Sequence, residues 1–438
     1  MPNAAFSPPP ARRAAEQGLV PLLLAALLLA GCAVPMASPS APAGVAAPTR
    51  EALPLDGAVV ALAEAMLAST RDAVRPGTRR GIVIDPLIDR ATGAETGATR
   101  SMETVIGRLV RERYPALELK PFTVASLDEQ PLILLGAITR VQAPGSVVNA
   151  PGPSDTYRIW GVVGDLRSGT ILARPMAWVR ADTVDATPTA FFRDSPAWTD
   201  DVMQAAYLRT CSSLPGTRID PAYLRGLRAQ AMVAEAVGAY ERGEMARARA
   251  LYVAAEGEPG GQQARVLNGL YLTNWALGRR PEAEAAFGRL VGYGLSRNRL
   301  AVKLLFRPGG TEFVRDPGVS GPYPMWLRQI AAQAAGRESC LVVEGHASVT
   351  GSSEANDRLS LARAQAVRAR LLREAPPLEP RSAAAGRGAR QPIIGLGTDD
   401  MRDALDRRVE FLPGACPAQV AGLAGGVPGG VPGAVPAG

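Results

Sequence analysis

Ser348, Asn356, Ser360 and Arg363 are the residues of this chain whose types and spacing best suit ligand chemistry. Asn356, Ser360 and Arg363 fall four and seven residues apart, so on a helix they share one stripe. Together with the loop around Ser348 they make a small polar pocket over a helix start. An arginine in such a pocket offers a planar fork to a carboxylate, whereas a serine hydroxyl offers one neutral hydrogen bond. Asp85 and Asp89 lie at a strand end, where an acid pair or a metal site is conceivable, but a solvated strand end with turn-forming aspartates is the preferred reading. A Ser–His–Asp or Cys–His set cannot form without a second histidine, unless the sole one, His346, serves.

The elements that must position the pocket are legible around it. Leu341, Val342 and Val343 form a short apolar strand, and Gly345 and Gly351 bound a turn. Ser352 or Ser353 can cap the helix that follows. Ala364, Val367 and Leu371 fall at helical spacing and face a core.

This stretch resembles the OmpA-like peptidoglycan-binding domain. Glu344, Gly345 and His346 match the family's turn, and Asn356, Leu359, Ser360, Arg363 and Ala364 match its helix. Gly386, Arg387 and Gly388, followed by Pro392, look like its Gly-x-Gly segment, and Arg407 to Glu410 like its closing strand. The resemblance implies a C-terminal mixed sheet of βαβαβ type over residues 299–416, and a ligand, the diaminopimelate stem peptide of peptidoglycan. It assigns the ligand-binding residues Arg363, Asn356, Ser348 and His346: Arg363 for the carboxylate, Asn356 ordering the loop, and His346 more as a structural hydrogen bonder. Two positions depart from the family. Ser348 stands where an Asp faces the ammonium, and Asp406 where an Asn precedes the paired arginines. A charge-assisted bond is roughly twice as strong as a neutral one, so Ser348 lowers the expected affinity unless Glu354 or Asp357 swings in.

The 438 residues allow two to four domains, and 47% hydrophobic with 20% charged residues suits a globular α+β multidomain chain. The net charge of +7 is spread as arginine, with no basic run interleaved with aromatics, which argues against a nucleic-acid partner. Arg12 and Arg13 precede an apolar run, Leu19 to Ala30, too short to span a bilayer and ending Gly31-Cys32. This looks like a bacterial lipoprotein signal, residues 1–31, with acylation of Cys32 in the outer membrane and the remainder in the periplasm. Residues 32–54 read as a flexible tether and 417–438 as a disordered Gly/Pro/Val/Ala tail.

Residues 55–182 carry strand and helix patterns of an α+β domain, including a hairpin around Arg167-Ser168-Gly169. Residues 183–221 form a connector whose aromatics pack on a neighbouring domain or form a partner patch. In residues 222–298 Tyr240, Gly243, Ala248 and Tyr252 recur 35 positions on as Trp275, Gly278, Ala283 and Phe287. That resembles tetratricopeptide-type helix hairpins, read as a groove for a protein partner or as a rigid spacer. The remaining cysteines, Cys211, Cys340 and Cys416, fit no zinc site. Cys340 opens a strand and Cys416 closes one, so the two pair if those strands are antiparallel neighbours; otherwise all three thiols stay free.

The expected function is a non-enzymatic, cofactor-free lipoprotein that docks on peptidoglycan and scaffolds a protein partner. The alternative is an assembly adaptor of a secretion or appendage system whose wall binding is weak or lost.

Overall fold

A computed structural model describes residues 51–141, 156–307, 309–392, 397 and 406–415. The expected signal peptide, Cys32, Cys416 and the tail lie outside the described residues.

The first layer is a helix pair on a sheet. In chain order it comprises α1 (Leu55–Ala68), β1 (Arg80–Ile84), β2 (Ile88–Asp89), α2 (Gly97–Arg113), β3 (Leu117–Leu119), α3 (Val124–Asp128), β4 (Leu132–Val141), β5 (Thr156–Asp165), β6 (Thr170–Ala173) and β7 (Met176–Arg180). The strand order is β3-β1-β4-β5-β6, with β2 beside β4 and β7 beside β5. β3, β1 and β4 run parallel, and β5 returns antiparallel. An almost continuous apolar run makes β4 a central strand covered on both faces. The Thr96 hydroxyl caps α2 by accepting from Thr99 N, and the Thr96 N–H donates back to the Thr99 hydroxyl. The returning side of the expected hairpin is two strands, β6 and β7, interrupted at Pro175, which has no N–H to give a ladder.

One face of this sheet is closed by α1 and α2. The other is closed by later segments, chiefly α5 (Val202–Ser212) and α6 (Pro221–Glu241), through Tyr207, Tyr223 and Leu227. Packing therefore crosses the expected boundary at residue 182. Before α5 come α4 (Ala190–Asp194) and the two-residue strand β8 (Ala197–Trp198).

Three more helices, α7 (Met245–Gly257), α8 (Ala264–Ala276) and α9 (Arg280–Ser296), complete two successive helix pairs with α6. The 35-residue recurrence has a physical counterpart. Gly243 and Gly278 hold matching turns at φ +79° and +74°, while Ala248, Tyr252, Ala283 and Phe287 are all fully buried at the crossings.

The second sheet contains β9 (Leu300–Val302), β10 (Cys340–Gly345), β11 (Ser382–Gly386) and β12 (Val409–Gly414), with helices α10 (Pro317–Ser320), α11 (Tyr323–Ala335) and α12 (Ser353–Glu374). Its order is β11-β10-β12-β9-β8. The edge strand β8 is thus supplied from about a hundred residues upstream of its partner, pairing Trp198 with Ala301. The expected boundary at 298 is also crossed: Trp326 donates to the Tyr271 hydroxyl at 2.9 Å and stacks on Phe287 with centroids 5.4 Å apart. A single apolar core runs from the helix pairs into the second sheet.

Candidate functional site

The turn from β10 into α12 is built by close approach. A side-chain carbon on Gly345 would lie 2.0 Å from the Ser360 carbonyl oxygen, and one on Gly386 would lie 2.6 Å from the Leu361 nitrogen. Glycine at these two points lets α12 lie directly on β10 and β11. Ser352 caps the helix by accepting from Ala355 N. Asn356 is buried, and its amide donates to the carbonyls of Ser348 and Thr350 at 3.3 and 2.8 Å. These two bonds tie the loop to the first turns of α12. Ser360 accepts from Gly388 N at 2.9 Å, tying the Gly-x-Gly segment to the same helix face.

Arg363 is 7% exposed. Its Nε donates to the Gly310 carbonyl at 3.1 Å, and its guanidinium carbon lies 4.9 Å from the Phe306 ring centroid. Strand β9 ends at Val302, and Phe306 bridges Phe313 in a loop beside α12. That loop supplies the arginine's backbone acceptor and aromatic floor. Ser348 is 5% exposed, with its hydroxyl 3.0 Å from the Thr350 hydroxyl. Of the two acids expected to substitute for a turn Asp, Asp357 pairs with Arg390 at 2.6 Å, and Glu354 is exposed on the first turn of α12.

Behind the turn lies a buried charge network that sequence reasoning missed as a unit. Glu344 pairs with Arg387, and Glu410, opposite it in register, takes both Arg299 and Arg408. Burial works against the Glu410 charge, but the bonds and charge of those two arginines hold its carboxyl below the ordinary value. His346 packs here with Nε2 3.8 Å from Glu410 Oε1. The expected structural hydrogen bond from its ring is not found: neither ring nitrogen has a partner among the described residues. Burial, then the positive charge of Arg408, pushes the imidazole down to about 3, so it is neutral and acts as a packing group. Arg408 and Glu410, two positions apart near the start of a strand, were the available signal for this network. Asp406 is fully buried. Cys340, opening β10, is disulfide-bonded, and β12 is its strand's antiparallel neighbour. Cys211 is free and buried.

Residues 323–404 match the model of the OmpA family. The C-terminal part of this chain is an OmpA domain. The cell wall anchor of the T6SS from Pseudomonas aeruginosa matches with 23% identity over 27% of this chain and 80% of its own, TM-score 0.22. The peptidoglycan-associated lipoprotein from Burkholderia pseudomallei matches with 22% identity over 27% of this chain and 92% of its own, TM-score 0.23. The periplasmic domain of Helicobacter pylori MotB matches with 19% identity over 27% and 73%, TM-score 0.22. No curated protein matches the chain.

Asp85, just after β1, is not solvated, contrary to expectation, whereas the half-buried Asp89 in β2 makes the expected turn. Asp85 is 2% exposed and accepts from the Tyr223 hydroxyl at 2.5 Å; Asp89 accepts from Thr92 N and its hydroxyl, both at 2.9 Å. The cover comes from α6, too distant in sequence to foresee. Burial raises Asp85 to about 7 despite the tyrosine bond, and Glu95 to about 7 despite Arg100. Among the described residues no group of three His, Cys, Asp or Glu side chains could hold a metal ion, and no helix is long and apolar enough to cross a membrane.

Proposed function

We propose that the chain is an envelope lipoprotein whose OmpA domain docks non-covalently on peptidoglycan. The observation that carries this is Arg363, held at the family's helix position between the Gly310 carbonyl and Phe306, beside a loop ordered by Asn356. Little of the guanidinium reaches solvent, so a stem-peptide carboxylate meeting it gains a charge-assisted bond in a low-dielectric setting. Ser348 and His346 flank the turn, the first facing the diaminopimelate ammonium. Acylated Cys32 supplies the outer-membrane anchor, and the tetratricopeptide-like pairs α6–α9 hold a protein partner. We assign Cys416 as the disulfide partner of Cys340.

Pulldown with purified sacculi tests the docking. Arg363→Ala is expected to lower retention about tenfold or more, the loss of a charged hydrogen bond. Equal retention of variant and wild type overturns the proposal.

A second reading, an assembly adaptor with weak wall binding, is favoured by Ser348 and by the commitment of Asp357 to Arg390. Ser348→Asp separates the two: a large gain in sacculus retention means the natural chain is a poor wall binder.

A further inference from the structure

A cleft far in sequence from the OmpA turn is lined by Thr92, Trp198, Arg265, Asn268 and Lys303 among others, with a cavity of ≈ 70 Å³. One water needs roughly 10–15 Å³ on that measure, so the space suits a molecule of about ring size. Four segments meet there: the loop after β2, the stretch carrying α4, β8 and the start of α5, helix α8, and the residue following β9.

The walls are apolar, with Phe192, Trp198 and Pro188 providing flat surfaces. The polar groups are few and specific. Asn268 is 4% exposed, and its amide nitrogen donates to the carbonyls of Ala197 and Ala264 at 3.1 and 2.9 Å. Those two bonds fix the amide orientation and leave Oδ1 as an acceptor with no partner. A buried acceptor left unmade costs about 1–3 kcal/mol, so an occupant that displaces the wall slightly and donates to Oδ1, which has no open surface of its own, is favoured.

The charge balance selects the rest of the occupant. The one carboxylate on the wall, Asp201, is spent on three backbone N–H groups, those of Met203, Gln204 and Ala264. Against it stand Arg193, which pairs with Asp194 at 3.1 Å, Arg265, which gives one bond to the Gly93 carbonyl, and Lys303, which gives two to the carbonyls of Phe192 and Arg193. An ammonium has three N–H groups, so Lys303 keeps one. Burial pulls the Lys303 ammonium down to about 8, the condition an anion beside it relieves.

We propose that this cleft binds a small organic acid with a flat apolar body and one hydroxyl or N–H donor, the donor on Asn268 Oδ1 and the carboxylate between Lys303 and Arg265. The site is independent of Arg363 and of wall docking.

Calorimetric titration of the full chain with four probes tests it. The probes are para- and meta-hydroxybenzoate, benzoate, which lacks the donor, and phenol, which lacks the charge. The tighter hydroxybenzoate is expected to bind about tenfold better than benzoate or phenol. Asn268→Leu should make that hydroxybenzoate no better than benzoate, and Lys303→Met no better than phenol, with melting curves confirming that each variant folds. If a variant fails to melt cooperatively, the ranking on wild type decides alone. Equal affinities for all probes on wild type, or no hydroxybenzoate binding at millimolar concentration, overturn the proposal.

Discussion

His346 is surrounded by fixed charges yet carries none of its own. Its neutrality is a consequence of position: the strand end buries the ring, and Arg408 and Arg299 outweigh the single attractive carboxylate of Glu410. Because its folded value of about 3 lies below the ordinary 6.5, the unfolded chain binds the extra proton between those limits. The histidine's contribution to stability is therefore present above pH 6.5 and is lost as pH falls through that window. As the chain has one histidine, its imidazole resonances are unambiguous. They are expected to show no titration between pH 8 and 5 in the folded protein; a midpoint near 6.5 would place the ring in solvent and dissolve the charge network described around it. At this scale the spacing of Asn356, Ser360 and Arg363 revealed their common buried face on α12. The sequence misled where a partner comes from far away, as with Tyr223 over Asp85.

At the scale of elements, the candidate site depends on how close α12 comes to its sheet. Gly345 and Gly386 face helix backbone, not the flexible end of a side chain, so neither neighbour can yield cheaply. Gly345→Ala is expected to destabilise the protein by about 2–3 kcal/mol, in the range of overpacked core sites, and to displace the turn that carries Ser348. A thermal melt and the sacculus assay together check this: unchanged melting would mean that helix and strand are not in contact at Gly345. The 35-residue spacing of the helix pairs was plain in the sequence, since the recurring buried positions and the turn glycines agree. The strand β8 was not. Two residues have no period, and the pairing that defines Ala197–Trp198 as a strand is with residues a hundred positions later. Trp198 itself is held by a bond from its indole to the Thr92 carbonyl, so the expected connector links all parts of the fold.

For the molecule as a whole, the seam between the first sheet and the helix pairs holds a group of buried acids. Asp85 and Glu95 each stand near 7, and Glu103 is also raised, in each case chiefly by burial. Arg100 binds Glu95 at 2.6 Å and Glu241 at 3.1 Å, linking α2 to α6 across that seam. An acid whose folded value is raised keeps its proton while the unfolded chain releases it, so stability is fully present below pH ~4 and declines as pH rises toward 7. This slope opposes that of His346, and with two or three acids against one imidazole it should dominate between pH 5 and 7. Asp85→Asn keeps an acceptor for the Tyr223 hydroxyl and removes the ionisation. The variant is expected to match wild type near pH 4 and to exceed it at pH 7.5 by about 2–4 kcal/mol, the equivalent of a shift of up to about three pKa units. Urea midpoints at the two pH values measure this. A wild type no less stable at pH 7.5 than at pH 5, with no gain in the variant, would show that Asp85 is solvated and that α6 does not close over the first sheet.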